Sequence, residues 1–129
     1  MAQGEAQIDI DQPADAVWAL VRDFGGIGTW MPGIDRCTVS GSDRTLSLMG
    51  MEIVERDYGV DDATRSASYG IVGGGLAVDH HRATITVSER PNGCHVRWAF
   101  DVQPDTLAPL MAQTYQGALD ALAKHLTAS

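Results

Sequence analysis

The sequence predicts an α+β domain in which one antiparallel sheet carries helices on one of its faces. Three observations predict it. Apolar and polar residues alternate over most of residues 35–103, the period of a half-buried strand. Gly, Asn and Asp punctuate that stretch at spacings suited to hairpins, which join antiparallel neighbours. On either side of it, over 13–24 and 105–127, apolar residues recur at the spacing of a buried helix face.

The first strand is expected over 6–11, with Ile8 and Ile10 on one face. A helix follows, with Pro13 in its first turn, where the missing N–H costs nothing. Asp15 stands at the positive end of its dipole. Ala14, Val17, Trp18, Val21 and Phe24 form the buried stripe, and Gly25-Gly26 stops the helix. The segment IGTWMPG reads as a short helical turn carrying Trp30 and ended by Pro32-Gly33. Six strands are then expected at 35–41, 44–49, 51–57, 64–72, 76–89 and 93–103. The turns between them are Gly41-Ser42, Gly50, Asp61-Asp62, Gly73-Gly74-Gly75 and Pro91-Asn92-Gly93. The last helix, 105–127, has Pro109 in its first turn. Its stripe is Leu107, Met111, Tyr115, Ala118, Leu122 and Leu126, widened by Leu110, Thr114 and Ala121.

Turn chemistry suggests two registers. With Asn92-Gly93 as a two-residue loop, Val87 faces Trp98, Ile85 faces Phe100 and Ala83 faces Val102. Thr86, Ser88, His95 and Arg97 then point outward, and alternation carried backward adds His81 and Asp79 to the inner face. A three-residue loop at the glycine triplet pairs Ile71 with Ala77, Tyr69 with Asp79 and Ala67 with His81. Tyr69, Asp79 and His81 would converge near one end of the concave face. They either satisfy one another at a wet rim or line a cavity. Glu55 and Arg56 point to opposite faces of their strand; which one faces inward is left open, and a solvated charge is the plain reading.

Seventeen acidic residues against nine Lys and Arg give a net charge of −8, which opposes nucleic acid and anionic headgroups. No apolar run is long enough to span a bilayer, so integral membrane association is not expected. The opening residues lack a basic start and an apolar h-region, so no signal peptide is expected. Cys37 and Cys94 are accordingly expected as reduced thiols in a cytoplasmic protein. His80 and His81, adjacent on a strand, cannot simply share a metal, and the glycine triplet lacks the Lys of a phosphate loop. No metal or cofactor is expected, and a homodimer is left open.

Several short motifs follow one another along the chain: Pro-Ala-Asp-Ala-Val-Trp (13–18), Asp23-Phe24-Gly-Gly, Trp30-Met-Pro-Gly-Ile34, Glu55-Arg56, Tyr69-Gly-Ile-Val, Arg82-Ala-Thr-Ile-Thr-Val87 and Val96-Arg-Trp-Ala-Phe100. In this order the chain resembles the SRPBCC or START-like superfamily, in its polyketide cyclase/dehydrase-like branch. The resemblance covers essentially the whole chain and implies a single helix-grip domain over 1–129. In that fold a curved seven-stranded antiparallel sheet wraps a long C-terminal helix, with two short helices between strands 1 and 2. Where this branch commonly carries a tyrosine, the chain has His81.

The resemblance implies an apolar cavity between sheet and helix that binds a lipid- or polyketide-like molecule. The small residues Ala108, Ala112, Gly117, Ala118, Ala121 and Ala123 of the last helix favour such a void, unless they only let the helix sit close. The lining is expected from Trp30, Leu48, Tyr69, Ile71, His81, Trp98, Phe100, Met111 and Tyr115; Trp98 and Phe100 read equally as core, and Trp30 also as a cap on the core beneath the short helix. The leading function is binding of a small hydrophobic or amphipathic ligand. The alternative is a polyketide cyclase/dehydratase-like lyase in which Tyr69 and His81 do acid–base work and Asp79 orients His81. A third reading, an interaction module on the exposed sheet face, finds no apolar patch among Arg82, Thr84, Thr86, His95 and Arg97.

Overall fold

The computed structural model describes residues 1–127; the last two positions of the expected 1–129 domain lie outside the described residues. The strands are β1 (Ala2–Ile10), β2 (Ile34–Ser40), β3 (Asp43–Leu48), β4 (Met51–Asp61), β5 (Ser66–Gly74), β6 (His80–Arg90) and β7 (Gly93–Gln103). They form one antiparallel, curved and unclosed seven-stranded sheet in the order β1-β7-β6-β5-β4-β3-β2. Helix α1 (Ala14–Val21) and a 3₁₀ turn (Phe24–Thr29) carry the chain across from β1 to β2 at the opposite edge. A second 3₁₀ turn (Asp105–Leu107) leads into α2 (Ala108–Thr127), which the sheet grips. This is an α+β helix-grip architecture.

Pro13 caps α1, its carbonyl accepting from the N–H groups of Ala16 and Val17. The helix ends at Val21, before the glycines, so Phe24 opens the 3₁₀ turn and Trp30 closes it. The buried face of α1 is Ala14, Val17, Trp18 and Val21, as the spacing predicts. On α2 it is Met111, Tyr115, Ala118, Leu119 and Leu122. Leu119, absent from the expected stripe, is fully buried, whereas Leu110 is exposed. On edge strand β1, the Gln116 side chain of α2 accepts from the Gln7 N–H and donates to the Gln7 carbonyl, which occupies backbone groups an edge leaves open.

Both expected registers are corrected. In β6–β7, Arg90 pairs with Gly93, Val87 with Val96, Ile85 with Trp98 and Ala83 with Phe100. The loop is therefore Pro91-Asn92. Gly93 opens β7 at φ +153°, and a side chain there would run into the Ile10 carbonyl. In β5–β6, Tyr69 pairs with Ala83 and Ala67 with Ile85. The glycine triplet is not the hairpin tip: Gly73 and Gly74 continue β5 and pair with Val54 and Ile53 of β4. The connection is residues 75–79, and β6 starts only at His80. Both offsets are even, so the inward face is preserved. His81, Ala83, Ile85, Val87, Trp98 and Phe100 are buried as expected, but Asp79 falls off the strand and is exposed.

Candidate functional site

A cavity of about 230 Å³ lies between α2 and the inner face of β3, β4, β5 and β7. Leu46, Leu48, Ile53 and Ile71 supply its sheet wall, Met111 and Tyr115 its helix wall, and Trp98 part of its floor. It reaches the surface past Met49 and Leu110, which line it and are 77% and 59% exposed. Among the described residues no Lys, Arg or His lines it; its polar side chains are Glu55, Tyr69, Thr114 and Tyr115, with the indole of Trp98 beside them.

The tyrosines are held from several elements. The Tyr115 ring on α2 stacks on Trp98 of β7 at 4.0 Å, with Phe100 edge-on at 5.4 Å. Trp98 Nε1 donates to Tyr69 Oη at 3.2 Å, and the two phenol oxygens share a hydrogen bond of 2.9 Å. His81 Nε2 lies 2.9 Å from Tyr115 Oη, and the Ile71 backbone N–H meets His81 Nδ1 at 3.1 Å. An amide N–H can only donate, so Nδ1 is the acceptor and carries no proton. Neutral His81 therefore holds its proton on Nε2 and donates it to Tyr115. Burial, aided by neighbouring His80 and opposed by Asp101, lowers the His81 pKa to about 4, so the ring is neutral at pH 7. Burial likewise raises Tyr69, with Tyr115 and Glu55 adding to it, and raises Tyr115, with Glu55 adding; both phenols keep their protons.

The second polar element is a buried ion pair. The β3–β4 register sets Arg44 opposite Glu55, at 4% and 6% exposure. Arg44 Nε and Nη2 both donate to Glu55 Oε1, at 2.9 and 2.7 Å. Nη1 donates to the Phe24 carbonyl at 2.7 Å, and the guanidinium lies 4.0 Å over the Phe24 ring. Burial raises the Glu55 carboxyl while Arg44 pulls it back down. Glu55, read from sequence as a solvated charge, thus faces inward, and Arg56 faces outward to Asp43. Arg44 was not anticipated at all.

Of the residues expected to line the cavity, Leu48, Tyr69, Ile71, Trp98, Met111 and Tyr115 do so. His81 stands behind Tyr115 and borders instead a polar outer groove with Tyr58, Asp79, His80 and Arg82. Phe100 packs on Tyr115 outside the lining, and Trp30 touches Trp98 edge-on at 6.2 Å from a separate small void. Asp79 does not join Tyr69 and His81; its backbone N–H donates to the Gln103 carbonyl. Among the described residues no three His, Cys, Asp or Glu side chains group as a metal site, and no helix is long and apolar enough to cross a membrane.

This architecture, a sheet gripping a helix over an apolar hollow, is that of the SRPBCC-type proteins. The family described as polyketide cyclase / dehydrase and lipid transport matches residues 1–127, and the chain belongs to it. Among solved structures, XoxI from Bacillus cereus is similar at 25% identity and a TM-score of 0.89, over 96% of this chain and 94% of that one. A protein from Thermobifida fusca is similar at 28% identity and a TM-score of 0.82, over 97% and 93% of the two chains. Norcoclaurine synthase from Thalictrum flavum, in complex with dopamine and hydroxybenzaldehyde, is similar at 19% identity and a TM-score of 0.77, over 98% and 86%, a likeness of fold alone. No curated protein matches the chain.

Proposed function

We propose that the protein binds a small apolar or amphipathic molecule in the cavity between the sheet and α2. The observation that supports this is the cavity itself: about 230 Å³, walled by aliphatic, methionine and aromatic side chains, and open at a mouth of Met49 and Leu110. An apolar cavity of about 150 Å³ takes benzene, so this one admits on the order of ten non-hydrogen atoms, with room at the mouth for a longer tail. Affinity would come from burying ligand against Leu48, Ile71, Trp98 and Met111; Tyr69 and Tyr115 would orient it. Native mass spectrometry of gently purified protein, with titration of ethylbenzene followed by tryptophan fluorescence, tests the reading. Co-purifying ligand or saturable quenching is expected, and Leu48→Trp, which fills the hollow, should weaken binding at least tenfold. No ligand, no quenching and no effect of Leu48→Trp would refute it.

A second reading, a cyclase or dehydratase, is supported by the hydrogen-bonded series His81–Tyr115–Tyr69, which ends on the cavity. In that reading the tyrosines, rather than His81 or the exposed Asp79, face the substrate. Turnover of a poly-ketone that Tyr69→Phe and His81→Ala both leave unchanged would remove it.

A further inference from the structure

The hydrogens at the deep end of the cavity can be counted. Trp98 Nε1, Tyr69 Oη, Tyr115 Oη and His81 Nε2 bring four hydrogens to three contacts: Trp98 to Tyr69, Tyr69 to Tyr115, and Tyr115 to His81. The indole hydrogen occupies the first contact and the imidazole hydrogen the third. Whichever tyrosine donates in the second, one phenol hydrogen remains, with no further acceptor among the described residues. Both tyrosines line the cavity at 5% exposure. Beside them, Arg44 takes only Oε1 of Glu55; Oε2 has no partner among the described residues, and Glu55 also lines the cavity. Neither is sealed off in the protein interior, and both belong to side chains that line the hollow, so a guest there can accept from the one and donate to the other. Arg44 itself is committed to Glu55 and to the Phe24 carbonyl and does not line the cavity, so no cation is offered there.

We propose that the cavity selects uncharged ligands that present a hydrogen-bond acceptor to the spare tyrosine hydrogen and a donor to Glu55 Oε2, of the hydroxy-ketone kind, and rejects carboxylates such as fatty-acid anions. The proposal rests on the cavity-binding reading above and adds to it the polarity of the ligand. A carbonyl oxygen needs one donor and finds one. A carboxylate needs several donors or a cation and instead meets the carboxyl group of Glu55 in an apolar enclosure, where like charges repel strongly. No Phe substitution removes the donor: losing Tyr69 frees the Trp98 N–H, losing Tyr115 frees the His81 N–H, and the double variant frees both, so the donor is read through the ligand rather than by deleting it.

Four probes of similar size test this: ethylbenzene, acetophenone, 4-hydroxyacetophenone and benzoate, titrated at neutral pH. In the wild type, 4-hydroxyacetophenone should bind tighter than acetophenone, and benzoate at least tenfold weaker than either. Measured against their transfer from water to an alkane, acetophenone should gain at least about fivefold over ethylbenzene, the worth of one net hydrogen bond. The carbonyl stretch of bound acetophenone gives an independent reading: it should lie below its position in an alkane solvent. An unshifted stretch, no such gain over ethylbenzene, or benzoate binding as well as acetophenone would overturn the inference while ethylbenzene binding left the cavity reading intact. Failure of all four probes to bind would overturn both.

Discussion

His81 should make the protein acid-sensitive in a way one substitution removes. Its ring is 3% exposed, its Nδ1 accepts from the Ile71 N–H, and its pKa falls to about 4, against an ordinary value of 6.5. Between those two values the unfolded chain holds a proton on this ring that the folded chain does not. Stability is therefore lost as pH falls. For a folded value of about 4, linkage gives a loss of about 2.5 kcal/mol between about pH 7.5 and about pH 4.5, a large share of a small domain's stability. Burial sets the value first; His80 beside it on β6 lowers it further and Asp101 on β7 opposes. His81→Asn keeps an acceptor for the Ile71 N–H and does not titrate. Glu55, whose raised pKa works in the opposite sense, is common to both proteins and cancels in their difference. Urea unfolding across that range, extrapolated to water for both proteins, should show the wild type losing about 2.5 kcal/mol relative to the variant. A difference that stayed constant to within about 0.5 kcal/mol would show that the folded structure does not suppress His81 protonation, and the assigned tautomer would go with it.

Two further outcomes bear on the same region. Glu55→Leu should destabilise the protein by about 3–5 kcal/mol by stranding Arg44, and adding Arg44→Met should restore most of that; denaturation of the wild type and the two variants checks it, and a double variant no better than the single would refute the pairing argument. Gly70→Ala should lose about 1–3 kcal/mol, because its new methyl would meet the His81 carbonyl and the Tyr58 ring; a loss under about 0.5 kcal/mol would mean that β5 and β6 are less tightly apposed there than the contacts indicate.

How much of this was legible depended on which signal carried it. Strand alternation has a period of two, so a register misjudged by two or four residues still puts the right side chains inside. That is why Tyr69, His81, Trp98 and Phe100 were placed on the inner face although their expected partners were wrong. Asp79 lies outside the rule because alternation holds only within a strand, and β6 starts at His80. Glu55 and Arg44 failed for another reason. Alternation along Arg44, Leu46 and Leu48, and along Met51, Ile53 and Glu55, around a Met49-Gly50 turn sets the two charges directly opposite each other on the apolar face. The signal is present, but Arg and Glu are almost never fully buried unless paired, so either residue taken alone reads as a solvated charge.

The cavity was expected between sheet and helix, yet its origin differs from the expected one. Small residues on α2 do not create it: Ala118 is 1% exposed in the core, and Gly117 faces open space on the outside. The α2 residues that line the hollow are larger ones from its first half, Leu110, Met111, Thr114 and Tyr115. The cause lies in the strand order. The helix packs on β1 and β7, pinned by Gln116 to Gln7 and by Tyr115 to Trp98, while β3, β4 and β5 curve away on the other half of the sheet. Their inner face, with Leu46, Leu48, Ile53 and Ile71, stands off from α2 instead of packing on it, and the hollow is the space left between. Tyr115 stands where the helix meets the sheet, and Met49 and Leu110 stand at the opening. The space is thereby polarised from a hydrogen-bonding deep end to an apolar mouth, which is the arrangement an amphipathic guest requires.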